Sequence, residues 1–209
     1  MAARVVPTTK LGVPMTIRPR RSVLYMPGSN ARALEKAKTL PADGVILDLE
    51  DAVAPDAKAA ARDQVVAAVK AGGFGAREVF IRTNGFDTPW FSDDLTAAAA
   101  AAPDAILIPK ISAGEQLQLI AQRLLSMHAD RKVRIWAMIE TPTAIFNVRE
   151  IAAAATDAET RLTGFVLGTN DLAKETRAKI LPGRAPMLPW LSTCLLAARE
   201  YGKIGRAHV

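Results

Sequence analysis

Six short apolar runs, each followed by a longer segment of helical period, dominate this sequence. The runs are rich in Val, Ile and Leu, and they begin 22 to 34 residues apart, at residues 22–26, 44–49, 78–82, 105–109, 133–140 and 164–168. Near-continuous hydrophobicity is typical of strands that helices cover on both faces. The pattern therefore predicts parallel strands joined by right-handed helical crossovers.

The segments between the runs predict six helices, over residues 31–40, 55–71, 92–102, 113–127, 143–155 and 190–201. Such βα units build either a TIM barrel or a doubly wound sheet. Ionisable or turn residues follow every run, as expected where all strand ends meet at one barrel mouth. The G-x-G-x-x-G motif common in doubly wound nucleotide-binding sheets is absent from the sequence. We therefore expect an α/β fold of the TIM (β/α)8 type.

Composition limits the possible partners. The chain has 209 residues and a net charge of +6, and half of its side chains are apolar, which suits one domain. Its Lys and Arg residues are dispersed, which favours an anionic small molecule over nucleic acid. It has no apolar run of the roughly 18 residues that a membrane span requires, so we expect no membrane partner. The single Cys194 excludes an internal disulfide and fits a reducing, cytoplasmic location.

Three carboxylates follow the second apolar run. Asp48, Glu50 and Asp51 could each cap or charge the next helix, but three close acids repel one another unless a cation compensates them. Arg82, at the end of the third run, is either their partner or a group that binds an anion. Lys110 is either a solvated strand end or part of the same site.

Two further acids stand at strand ends that are less suited to ordinary surface placement. Glu140 ends the most apolar run, and Asp171 follows the last run closely. Oxygen ligands from two strand ends, completed by water and substrate, suit Mg²⁺. The two histidines, His128 and His208, lie in a helix end and in the tail, and neither is expected to take part in catalysis.

Several motifs together resemble one family. In order along the chain they are RRSVLYMPGSNARALEKA, ADGVILDLEDAVAPDAKAAAR, VFIRTNG, AILIPK, IETPTAIFNVREIA and GFVLGTNDLA. This order is similar to that of the citrate lyase β-subunit and malyl-CoA lyase family of HpcH/HpaI aldolases, over residues 20–200. The resemblance implies a Mg²⁺-dependent TIM barrel that breaks a carbon-carbon bond in a 3-hydroxyacyl-CoA. Citryl-, malyl- and citramalyl-CoA are such esters, and they yield an α-keto acid and acetyl-CoA or a similar product.

The resemblance also implies roles for individual residues. By motif position, Glu140 and Asp171 resemble the metal ligands, and Glu140 also borders the substrate. Arg82 resembles the arginine that binds the substrate oxygens beside the metal. We expect Glu50 and Asp51 to complete the catalytic set, by holding metal-bound water or pairing with a basic residue.

Recognition of the CoA ester is implied at the first βα unit. Tyr25, Arg32 and Lys36 fall where relatives contact the CoA thioester. Arg32 and Lys36 are four residues apart and could meet CoA phosphates from one helical face.

Two other activities stay open at this point. One is thioester hydrolysis, a malyl-CoA thioesterase activity, and the other is that of a citrate lyase complex subunit acting on a carrier-bound acyl group. The resemblance further implies a homo-oligomer, a trimer or hexamer, in which a later segment supplies a catalytic aspartate across a subunit interface.

The end of the chain departs from the family pattern. The family continues into a seventh and an eighth strand, whereas residues 204–209, IGRAHV, are what one reading frame of a common sequencing adaptor encodes. We therefore predict a basic, flexible extension at residues 1–20, a partial TIM-barrel lyase domain at residues 21–203 and a non-native tail at residues 204–209. A barrel that ends after about six βα units has unpaired strand edges, so we expect this fragment to be inactive and poorly soluble.

Overall fold

The computed structural model describes residues 20–202 and the backbone of residues 204–208. The predicted extension lies outside the described residues except for Arg20, as do Lys203 and Val209. The strands are β1 (Val23–Pro27), β2 (Gly44–Asp48), β3 (Glu78–Arg82), β4 (Ala105–Ile108), β5 (Arg134–Ile139), β6 (Leu162–Gly168) and β7 (Ile204–His208). The helices are α1 (Ala31–Ala37), α2 (Lys58–Ala71), α3 (Phe91–Ala101), α4 (Gly114–Ser126), α5 (Pro142–Phe146), α6 (Val148–Ala153), α7 (Thr169–Thr176) and α8 (Leu188–Glu200).

All seven strands form one parallel sheet whose spatial order equals their order along the chain. A doubly wound sheet reverses its strand order at a switch point, and this sheet has no such reversal. Among the described strands, β1 pairs only with β2 and β7 only with β6, so the barrel is not closed. The fold is a parallel α/β half-barrel, which agrees with the predicted open TIM-type barrel.

The sheet curls strongly, as one contact across its concave face shows. Neighbouring strands lie about 4.8 Å apart, so β1 and β5 would be roughly 19 Å apart in a flat sheet. The Tyr25 hydroxyl on β1 nevertheless lies 4.0 Å from the Met138 sulfur on β5. The curvature therefore brings side chains from distant strands around one interior.

Alternate residues of each strand supply two separate apolar cores. The larger core lies between the sheet and the helices and includes Val45, Leu47, Ile106, Ile135 and Phe165. The smaller core lines the concave interior and consists of Val23, Ile46, Phe80, Ala105, Leu107, Trp136, Met138 and Val166, with Tyr25 packed against it. On β2 and β3 the interior row continues toward the carboxyl end with Asp48 and Arg82, where it becomes charged.

The sequence-based boundaries agree with most elements and miss three. The helix predicted over residues 143–155 breaks at Asn147, where the backbone leaves the helical conformation (φ −94°, ψ 4°) and the side chain donates a hydrogen bond to the Ser112 carbonyl at 2.9 Å. Helix α7 was not predicted, since its eight residues are mostly polar. All six predicted strands are present, and residues 204–208 of the predicted tail add a seventh strand, β7, beside β6, which was not predicted. Whether that tail belongs to the natural protein stays a prediction.

Among the described residues, no helix combines the length and the apolar character that crossing a membrane requires.

Candidate active site

Arg82 stands at the centre of the carboxyl end of the sheet, which we call the mouth. Its Nε and Nη2 atoms donate to the two carboxylate oxygens of Asp48, each at 2.7 Å. The guanidinium carbon lies 4.9 Å from the centre of the Tyr25 ring, and Nη1 lies 3.9 Å from the Met138 sulfur. The side chain is 7% exposed. A paired, stacked and buried guanidinium is held in one orientation.

Asp48 also organises the loop that follows β2. Its Oδ1 accepts the amide N–H of Glu50 at 2.8 Å, and its Oδ2 accepts that of Ala52 at 3.2 Å. With Arg82 on the other side, both oxygens of Asp48 are occupied. Asp48 is therefore a structural anion that fixes the arginine and turns the loop.

Glu50 is buried beside the same arginine but is poorly satisfied. Its Oε2 lies 2.8 Å from Arg82 Nη1, yet the alignment does not make a hydrogen bond, and Oε2 has no hydrogen-bond partner among the described residues. Lys110 Nζ lies 3.8 Å from Oε1. Burial raises the pKa of Glu50 to about 7 against the attraction of Arg82, and the charges of Asp51 and Asp48 raise it further.

Glu140 follows β5 and is 1% exposed. Its Oε1 accepts the backbone N–H of Lys110 at 2.8 Å, and the left-handed conformation of Lys110, with φ of 55°, directs that N–H toward it. Burial, followed by the negative charge of Glu50, raises the pKa of Glu140 to about 8, although the Lys110 hydrogen bond opposes the shift. Asp171 adds to the rise, which places its carboxylate within electrostatic reach of Glu140.

Gly168 leaves the space that the Glu140 carboxylate fills. A Cβ atom at Gly168 would lie 2.4 Å from Glu140 Oε2 and 2.6 Å from Glu140 Cβ. Helix α7 begins directly after this glycine and carries Asp171 in its first turn. The glycine thus lets β6 and α7 bring Asp171 toward the Glu140 carboxylate.

A cavity of about 470 Å³ opens at the mouth. Its lining includes Tyr25, Arg82 and Met138 on one side and Gly168 and Asp171 on the other. The structure therefore brings together residues of β1, β3, β5 and β6 that are far apart in the sequence.

The remaining predicted site residues lie at the edge of this arrangement. Asp51 lines the cavity, but its side chain is 69% exposed and lies 3.4 Å from Arg82 Nη1. Burial raises the pKa of the Tyr25 hydroxyl to about 12, so it stays neutral. Arg32 and Lys36 are exposed on α1, and the described cavity lining does not include them.

The donor set fits a hard divalent cation. Glu140, Asp171 and the unpartnered Glu50 Oε2 supply only oxygen atoms, and burial with mutual repulsion makes the negative charges of Glu50 and Glu140 costly without a cation. In the described part of the chain no three Asp, Glu, His or Cys side chains converge as a metal-binding group. Mg²⁺ commonly uses one or two carboxylates and keeps several waters, so Glu140 and Asp171 suffice in number.

The sequence did not predict three buried polar neighbours of this site. Lys58, Asn84 and Asp94 are buried behind the loop of Glu50 and hydrogen-bond to it or to one another. The VFIRTNG motif placed Asn84 next to Arg82 and was the available signal for one of them. Lys58 and Asp94 stand in ordinary helical sequence, where nothing marks them as buried.

The family model and the similar proteins all indicate the same family. A family model described as HpcH/HpaI aldolase/citrate lyase matches residues 21–204. The (3S)-malyl-CoA thioesterase of Cereibacter sphaeroides is 47% identical over 184 residues, which are 88% of this chain and 61% of that protein. The L-malyl-CoA/beta-methylmalyl-CoA lyase of the same species is 36% identical over 171 residues, which are 78% of this chain and 52% of that protein.

A solved structure is similar in fold as well. CitE from Mycobacterium tuberculosis, in complex with magnesium, acetoacetate and coenzyme A, superposes with a TM-score of 0.72 at 28% identity. The match covers 90% of this chain and 66% of that chain. The chain spans about three-fifths of the length of the malyl-CoA thioesterase that it matches.

Proposed function

The chain belongs to the HpcH/HpaI aldolase/citrate lyase family, and from that premise we propose that its mouth is a Mg²⁺-dependent site for a short 3-hydroxyacyl-CoA of the malyl-CoA class. The reaction that the geometry supports best is carbon-carbon cleavage to an α-keto acid and a shorter acyl-CoA. The observation that carries this proposal is the buried Arg82, fixed by Asp48 in the wall of the cavity that Asp171 also lines.

Each part of the site has a task in such a cleavage. Glu140 and Asp171 would hold the ion, which when bound supplies Lewis-acid chelation of the substrate carboxylate and the adjacent oxygen. Arg82 stabilises negative charge that develops on that oxygen, and Asp48 keeps the guanidinium from reorienting. Glu50 lies 2.8 Å from Arg82 Nη1, and burial raises the pKa of its carboxyl group to about 7 in the chain without a metal ion.

Thioester hydrolysis is the second candidate, because the relative named a malyl-CoA thioesterase is 47% identical, whereas the one named a lyase is 36% identical. Both reactions begin from the same bound ester. They differ in the bond that breaks, which is the bond between the carbinol and methylene carbons in one case and the carbonyl-sulfur bond in the other.

Product analysis distinguishes the two candidates. Because this fragment is expected to be inactive, the assay uses the chain extended to the length of the malyl-CoA thioesterase relative. This protein is incubated with malyl-CoA and Mg²⁺, and the products are quantified by liquid chromatography and mass spectrometry. Cleavage of the carbon-carbon bond yields glyoxylate and acetyl-CoA, whereas hydrolysis yields malate and free CoA. Chelation of Mg²⁺ should abolish either product, and binding of malyl-CoA is followed in parallel by calorimetry.

A variant pair tests the role of Arg82 in the same assay. Arg82→Lys keeps the charge but loses the two-point contact with Asp48, so the rate should fall on the order of 100-fold. Arg149→Lys, at a side chain that is 76% exposed, is the matched control and should retain the wild-type rate. A wild-type chain that binds neither Mg²⁺ nor malyl-CoA would contradict the proposal.

A further inference from the structure

A buried ammonium group contacts the backbone of the loop that carries Glu50. Lys58, the first residue of α2, is 6% exposed. Its Nζ donates to the carbonyl oxygen of Leu49 at 2.7 Å and to that of Glu50 at 2.6 Å. It also lies 5.4 Å from the centre of the Trp90 ring. Lysine is rarely buried without a paired carboxylate, and here both short contacts go to carbonyl oxygens of one loop.

A second side chain holds the same loop. Asn84 Nδ2 donates to the Leu49 carbonyl at 3.0 Å and to Asp94 Oδ2 at 2.6 Å. Asp94 is itself fixed by Arg62, whose Nε donates to Oδ1 at 2.8 Å. The Leu49 carbonyl therefore accepts from two buried donors, and one of these is anchored to α3 through Asp94.

The loop is also held from the side of the mouth. Asp48 accepts the amides of Glu50 and Ala52, so the loop is fixed through its N–H groups by an anion and through its carbonyl groups by a cation. Burial lowers the pKa of Lys58, and the charges of Asp48 and Glu50 oppose that shift. The acids of the mouth thus offset part of the cost of burying the ammonium group.

We propose that Lys58 is a positioning residue that fixes the Glu50 carboxylate against Arg82 by binding the carbonyl oxygens of Leu49 and Glu50. The effect on the mouth is indirect, since Lys58 contacts only the backbone there. Its consequence for Mg²⁺ binding rests on the proposed function, whereas the immobilisation of the loop does not.

Hydrogen exchange tests the immobilisation directly. Lys58→Met keeps the length and apolar stem of the side chain but removes the donors, and Lys70→Met on the exposed face of α2 is the matched control. Each hydrogen bond from a charged donor corresponds to about a tenfold or larger effect. The amides of Glu50 and Ala52 should therefore exchange at least about tenfold faster in Lys58→Met, while amides of α4 and the Lys70→Met chain keep the wild-type rates.

The outcomes separate a local role from a general loss of stability. An unchanged exchange rate at Glu50 and Ala52, or an equal increase in α4, would overturn the proposal. If Lys58→Met does not fold, Lys58→Gln replaces it, because the amide retains a donor for one carbonyl and should give a smaller increase confined to the same loop. The same criteria then apply to that variant.

Calorimetric titration with Mg²⁺ tests the link to Glu50. Lys58→Met should weaken binding about as much as Glu50→Gln, and the double variant should bind no more weakly than either single variant, because both changes act on the same carboxylate. Additive losses would contradict that link. A wild-type chain without Mg²⁺ binding would refute the proposed function, while the exchange rates would still decide the positioning role.

Discussion

The two ends of strand β3 carry ion pairs with very different surroundings. Glu78 begins the strand and accepts from Arg20 Nη2 at 2.5 Å, whereas Arg82 ends it and pairs with Asp48. We call the amino ends of the strands the floor of the interior. At the floor the paired side chains are 11% and 13% exposed, and at the mouth they are 7% and 2% exposed.

The difference lies in the balance of charge around each pair. At the floor Arg20 stacks 5.1 Å from the centre of the Trp136 ring, which belongs to the apolar interior core. At the mouth Glu50, Asp51, Glu140 and Asp171 surround one arginine and the half-exposed Lys110. An excess of acidic groups around one arginine, rather than a buried ion pair as such, distinguishes the proposed functional end of this sheet.

The largest expected effect comes from removing the central cation of the mouth. Arg82→Met leaves Asp48 and Glu50 buried without their main partner and should lower the free energy of unfolding by about 3 to 5 kcal/mol. Arg20→Met, the same change at the floor, should cost less, about 1 to 3 kcal/mol, since it leaves one carboxylate, Glu78, without this partner rather than two. Urea denaturation of both variants measures the difference, and equal costs would show that the two ends are equivalent.

The buried acids of the mouth also predict how the free energy of unfolding depends on pH in the absence of divalent cations. The pKa values of Glu50 and Glu140 are raised from 4.5 to about 7 and about 8, so the folded chain binds more protons than the unfolded chain between these limits. The stability that these two groups contribute is therefore greatest below about pH 4.5, and it is lost, by on the order of several kcal/mol, as the pH rises to about 8.5. Urea denaturation across this range should show a weaker dependence for Glu140→Gln and with saturating Mg²⁺; a dependence unaffected by either would contradict the assignment.

A smaller difference is expected between glycine substitutions at the two ends of strand β6. Gly168→Ala places a methyl group 2.4 Å from Glu140 Oε2, and Gly164→Ala places one 2.7 Å from the Trp136 ring at the floor. Both changes should cost about 1 to 3 kcal/mol of stability. Only Gly168→Ala should also weaken Mg²⁺ binding, by about tenfold or more, because only it displaces a proposed ligand. An equal loss of affinity in both variants, measured by calorimetry, would show that the effect is global.

Local sequence patterns predicted the positions of the strands and the clustering of polar residues at one end of the sheet. The apolar run of β3 matches its strand over Glu78–Arg82, and the polar residues after each run do gather at one end of the sheet. Periodicity succeeds there because burial between helices and interior requires continuous apolar residues. The TIM-type fold was preferred because polar residues follow each run and the G-x-G-x-x-G motif is absent, and the strand order without a reversal agrees with it.

Features that depend on contacts between distant segments were not predictable in this way. In the sequence, Lys58 looks like any other helical lysine. Only the structure shows that the preceding loop and Trp90 enclose its amino group. Gly168 is one glycine among 13, and only the approach of Glu140 shows why a side chain is excluded there. At the break in the fifth predicted helix, the Asn147 side chain likewise binds a carbonyl 35 residues earlier, that of Ser112, and local sequence does not show this contact.

The central claim is that the mouth holds Mg²⁺ through Glu140 and Asp171, with Glu50 in a supporting position. Calorimetric titration of Mg²⁺ into the wild type, Glu140→Gln and Glu50→Gln tests it most directly. We predict that Glu140→Gln lowers the affinity by more than about 100-fold and that Glu50→Gln lowers it by about tenfold, as expected for a ligand and for a neighbour of the ligands. A larger loss in Glu50→Gln than in Glu140→Gln would contradict the account.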